Sequence, residues 1–109
     1  MATTRKVLGQ VAPAATTNTD IYTVPAATST VCSTLVVANR GADAATFRVA
    51  VRPGGATLAN QHYLYYGVQL QTGDSFAATI GLTLAATDVV TAYASTADLS
   101  FSLFGEETT

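Results

Sequence analysis

The sequence predicts an all-β fold: a single antiparallel β-sandwich of about eight strands, of Ig-like or jelly-roll type, with an extended N-terminal arm. Three observations carry this. From Asp20 onward apolar residues recur with a period of two, the pattern of half-buried strands. Gly, Pro, Asn or Asp end each run at regular intervals. No stretch longer than a single turn, such as Ala85–Asp88, shows the 3.6-residue period of a helix.

Residues 1–19 (MATTRKVLGQVAPAATTNT) read as the arm, rich in Ala and Thr, with one short strand around Lys6–Val11 and apolar anchors only at Val7, Leu8 and Val11. The sandwich domain occupies residues 20–109. Ile21–Val24 is a short strand closed by Pro25, and Thr30–Ala38 is β-branched and long enough to cross a sandwich. Asn39-Arg40-Gly41 is a turn, because Asn and Gly tolerate positive φ. Ala45–Arg52 alternates, with Phe47, Val49 and Val51 on one face and Arg48, Ala50 and Arg52 on the other; Pro53-Gly54-Gly55 then breaks it.

His62–Leu70 places His62, Leu64, Tyr66, Val68 and Leu70 on one face and Tyr63, Tyr65 and Gln69 on the other. After the turn Thr72-Gly73-Asp74, Ser75–Leu82 directs Phe76, Ala78, Ile80 and Leu82 inward, with Gly81 as a bend. Val89–Ser95 and Leu99–Phe104 complete the set, the last with Leu99, Phe101 and Leu103 inward and Phe104 opposite. The expected core is Phe47, Val49, Val51, Leu64, Phe76, Ile80, Leu99, Phe101 and Leu103.

Composition bounds the function. The chain has 109 residues, 49% hydrophobic and 11% charged, a net charge of −2, one His, one Cys and no Trp. This hydrophobic content excludes disorder over most of the length. The acidic balance, with only five Lys and Arg, argues against nucleic acid as a partner. No apolar run approaches the ~20 residues of a membrane helix. The start, Met1–Lys6 followed by VLGQVAPAA, is too short and polar for a signal-peptide core, so synthesis in a cytoplasm is expected.

Groups that perform chemistry are scarce, and no enzyme, cofactor or metal is expected. His62 lies in NQHYLYY, with no evident carboxylate to orient it or nucleophile beside it, and reads as a hydrogen-bonded strand or rim histidine. Cys32 reads as a small buried hydrophobe, with an intermolecular or reactive thiol as the alternative. Asp20, Asp43, Asp74, Asp88 and Asp98 fall mostly at turns, where Asp satisfies backbone groups; two of them sharing a calcium ion is the minor alternative. Gly54-Gly55 lacks the Lys-Ser/Thr and helix of a phosphate loop.

The candidate contact residues are Val7, Leu8 and Val11 on the arm, Arg48 and Arg52, and the pair Tyr63 and Tyr65. Two phenols on one strand face either cover a sandwich edge or meet a partner, since Tyr is enriched at protein interfaces. A sugar platform is a third reading, weakened by the absent Trp. Arg48 and Arg52 either pair with carboxylates of a neighbouring subunit or stay within their own.

The segments VLGQVAPAATT, IYTVPAATSTV, VVANRGADAATFRVAVRPGG, HYLYYGVQL and LAATDVVTAYASTADLSFSLFGEE, in this order, resemble small one-domain structural proteins of tailed bacteriophages. The resemblance covers nearly the whole chain and brings no functional residues with it. It implies a virion component: a capsid decoration (cement) protein acting as a homo-oligomer, trimer or dimer, on the major capsid protein or other virion proteins. The alternative is a small tail, baseplate or fibre component used in assembly or host contact. The arm is expected to dock Val7, Leu8 and Val11 on a neighbouring subunit as an added strand.

Overall fold

The computed structural model describes residues 2–109. Eight strands are present: β1 (Thr3–Val11), β2 (Thr19–Thr23), β3 (Ser29–Asn39), β4 (Ala45–Arg52), β5 (Tyr63–Leu70), β6 (Ser75–Leu84), β7 (Val89–Ala94) and β8 (Leu99–Thr108). They form two four-stranded antiparallel sheets, ordered β1-β8-β3-β6 and β2-β7-β4-β5. Every connection except β4–β5 crosses from one sheet to the other. That wrapped order is the jelly roll, which settles the choice left open between it and the Ig-like arrangement.

The core lies between the sheets. Phe47 and Phe101 are fully buried and meet edge-on, with ring centroids 5.9 Å apart. Phe76 packs on Phe47 at 5.3 Å, and Leu35, Val37, Val49, Val90, Leu99 and Leu103 fill the space around them. Of the expected core, Phe47, Val49, Leu99, Phe101 and Leu103 are fully buried, while Val51, Phe76 and Ile80 are partly buried against it. Leu64 is the exception, at 44% exposure.

The arm is corrected by the structure. Residues 3–11 do form an added strand, but on the chain's own sheet: β1 pairs with β8 from Thr3↔Thr108 to Val11↔Phe101. The register slips between Val7 and Gly9, so Leu8 is an extra, bulged residue and turns into the core, while Val7 faces solvent at 47% exposure. Val11 packs against the core, and Pro13 is fully buried. Gly9 makes this corner possible, since a Cβ there would collide with the Ile21 carbonyl of β2. Thus Leu8 and Val11 serve the fold, and only Val7 stays available for contact.

The far end of β8 completes the pairing. Arg5 stands opposite Glu106 with an ion pair at 3.4 Å, and Lys6 reaches Glu107 at 3.4 Å. Asn39 anchors the opposite end of the molecule. Its buried side chain donates to the carbonyls of Asp43 (2.9 Å) and Leu70 (3.1 Å) and accepts from the Gly41 N–H (2.9 Å), which ties the β3–β4 turn to β5.

Candidate functional site

The site is built on the outer face of sheet β2-β7-β4-β5. Alternation along β4 turns Phe47 and Val49 inward and Arg48 outward. Register places Tyr93 of β7 and Tyr66 of β5 directly opposite Arg48, one on each side. The guanidinium carbon lies 4.2 Å from the Tyr93 ring centroid and 4.3 Å from that of Tyr66, so two phenol rings flank one cation. Tyr63 extends the row, meeting Tyr66 edge-on at 4.9 Å. Each cation–π contact contributes ~0.5–1 kcal/mol on an exposed face.

Two bulges in β5 create this arrangement. Val49 pairs with Tyr65 and Ala50 with Tyr63, leaving Leu64 as an extra residue; Arg48 pairs with Tyr66 and Phe47 with Val68, leaving Gly67 as another. Gly67 has φ +72°, a conformation that favours glycine. Each slip reverses the facing of the residues beyond it. Tyr63 and Tyr66 therefore share the outer face, whereas Tyr65 turns inward onto Phe76 (5.3 Å) and Phe47 (6.4 Å). Strict alternation in the sequence pairs Tyr63 with Tyr65 and sends Leu64 and Tyr66 inward; the two bulges overturn that expectation.

Tyr66, at 63% exposure, is the most open ring of the patch, and Leu64 of the same strand is also exposed. Among the described residues no side chain hydrogen-bonds or ion-pairs with Arg48. Two rings flank it, and among the described residues its guanidinium N–H groups have no hydrogen-bond acceptor. The arrangement suits recognition: rigid amphipathic rings around a cation that has no ion-pair partner among the described residues.

Arg52, four residues on, behaves differently. Its Nη2 meets Asp20 Oδ1 at 2.9 Å, Nε donates to Thr91 Oγ1 at 3.0 Å, and Nη1 donates to the Gly55 (3.2 Å) and Ala56 (3.0 Å) carbonyls. Thr91 donates to the same Asp20 oxygen. Arg52 is thus used within its own chain, pinning the β4–β5 connection to β2 and β7.

The other residues with chemical potential are engaged locally. His62 sits in a short 3-10 turn, Asn60–His62, where Nδ1 accepts the Ala59 N–H at 3.0 Å. Cys32 is fully buried, and burial pushes its thiol up to about 11. Asp88 accepts the N–H groups of Gly54 and Ala85, and Asp74 that of Ser75. Among the described residues no three of His, Cys, Asp and Glu come together as a metal site would require. Nor is any helix among them long and apolar enough to cross a membrane.

A polar clamp joins the two sheets at one end. The inward-facing Tyr22 of β2 donates its phenol proton to Glu107 of β8 and accepts from the Thr30 hydroxyl of β3 at 2.8 Å. Burial, then the bond to Glu107, pushes the Tyr22 phenol up to about 12. The bond from Tyr22, then Lys6, holds the Glu107 carboxyl below its ordinary value.

Both directions set a pH window. Glu107 contributes stability above its unfolded pKa, near ~4.3, and that contribution is lost as pH falls through its lower folded value. Tyr22 contributes below its ordinary 10.0, and its share is lost as pH rises towards about 12. Cys32 loses its share in the same way between 9.0 and about 11. Tyr22→Phe is expected to cost ~1–3 kcal/mol at neutral pH by unpairing Thr30 and Glu107. It should also end the alkaline decline of stability earlier, near the limit set by Cys32. Denaturant melts across pH test this; an alkaline limb unchanged by the substitution would show that Tyr22 is not buried as described.

No known protein-family model matches the chain, and no curated protein matches it in sequence.

Proposed function

We propose that this protein is a non-enzymatic structural component of a tailed-bacteriophage virion. In this reading it is a decoration (cement) protein that stabilises the head as a homo-oligomer on the shell. The observation that carries the contact role is the row Tyr93–Arg48–Tyr66 with Tyr63 on the outer face of a jelly roll. Tyr and Arg dominate the energetic centres of protein interfaces, and among the described residues no carboxylate pairs with Arg48. The phage setting is supported by the resemblance of the chain's ordered segments and by the use of jelly rolls in viral capsids.

The mechanism is burial of this ring-and-cation face against a neighbouring virion protein that supplies an acidic side chain. Many copies acting together turn a modest contact into firm attachment. Quantitative mass spectrometry of purified particles tests the reading. Hundreds of copies per virion are expected for a decoration protein; a few dozen would move it to tail, baseplate or fibre, and absence from particles would overturn it. In a rebinding assay with stripped particles, Arg48→Ala and Tyr66→Ala should each weaken attachment by ≥ ~2 kcal/mol, about 30-fold, with melting little changed. Attachment indifferent to both substitutions would place the contact on another face.

A further inference from the structure

An edge strand leaves a row of backbone N–H and C=O groups without a ladder, and natural sheets blunt such edges with charge, shortness or bulges. The four edges here are β1 and β6 in one sheet, β2 and β5 in the other. Three carry such a device. β1 presents the exposed Arg5 and Lys6, β2 is five residues long and bears Asp20, and β5 is broken by its bulges at Leu64 and Gly67.

β6 carries none over its first half. Its ten residues, SFAATIGLTL, contain no charged residue and no proline. From Ser75 to Thr79 it pairs with β3 without interruption, and the irregularity comes only beyond, around Ile80 and Gly81. Its outward side chains Ala77 and Thr79 are small and exposed, while its inward Phe76 and Ile80 are only partly buried. The strand is uncharged along its whole length, and its exposed side chains are small.

We propose that β6 pairs with β6 of a second copy of this chain, antiparallel across a two-fold axis. The sheet β1-β8-β3-β6 then runs on into its mate. Self-pairing is favoured by charge: an uncharged strand meets no like charge when it faces itself, whereas β1 doubled would set Arg5 and Lys6 close to their own copies. A two-fold contact is also closed, so it ends at a dimer and does not grow into a fibre. Partly open Phe76 and Ile80 gain cover from their symmetry mates. The pairing names the self-contact of the proposed assembly role and depends on that reading only for its purpose.

The test is sedimentation of the isolated full-length chain, beside Ala77→Lys and Thr79→Lys, with circular dichroism melts as the control for folding. Both substituted side chains point to solvent, so the sandwich is expected to survive each. Wild type should sediment as a dimer, and a lysine at either position should raise the dissociation midpoint at least about tenfold. A chain monomeric at every accessible concentration, a trimer, or a dimer indifferent to both lysines would overturn the pairing. A dimer formed by a protein absent from virions would leave the pairing standing and sink only the virion role.

Discussion

Deleting residues 2–18 is expected to abolish cooperative folding. The segment contains all of β1, whose ladder with β8 runs from Thr3 to Val11. It also carries the bulged Leu8, which is 9% exposed, and the fully buried Pro13. Removing it bares one whole side of β8 and opens the core above Leu103 and Phe101. A domain of this size has roughly 5–15 kcal/mol of stability in hand, and a lost strand with its apolar cover consumes most of it. Circular dichroism melts of the truncated chain give the answer. Loss of the cooperative transition is the expected outcome; a melt close to wild type would return residues 2–18 to the status of an arm that the sandwich does not need.

The second large effect is Phe101→Ala, with an expected cost of ~3–5 kcal/mol. Phe101 has no exposed surface, stands edge-on to Phe47, and lies opposite Val37 of β3 and Val11 of β1. Both flanking strands lose cover when the ring goes. The surroundings cannot collapse far, because Phe47 is itself held by Phe76 and Tyr65. Denaturant melts at neutral pH measure the change, and a loss below about 1 kcal/mol would mean that the ring does not sit at the centre of the core.

Much of this was legible in the chain. Wherever alternation is unbroken, as in Ala45–Val49 and in Leu99–Leu103, facing and burial follow from the period of two. The failures trace to bulges. In β1 the residues Val7, Leu8 and Val11 do not alternate, because Leu8 is inserted, and the strand therefore reads as a loosely anchored arm. In β5 two inserted residues exchange the roles of Tyr65 and Tyr66, which moves the candidate site by one residue.

One signal could have recovered β1. The polar start TTRK lies antiparallel to the polar end GEET, basic residues against acidic ones. Each looks like a solvated tail alone, and together they form the edge of a sheet. The row of Arg48 with its two flanking rings was beyond reach, since Tyr93 and Tyr66 meet it only through tertiary register.

A cryo-EM reconstruction of the intact virion tests the proposed role most directly. The account predicts ordered copies of this jelly roll on the particle surface, with Tyr66, Arg48 and Tyr93 covered by a neighbouring virion protein and a carboxylate against the guanidinium. Particles without the protein, or copies whose Tyr66 face looks into solvent, would contradict it.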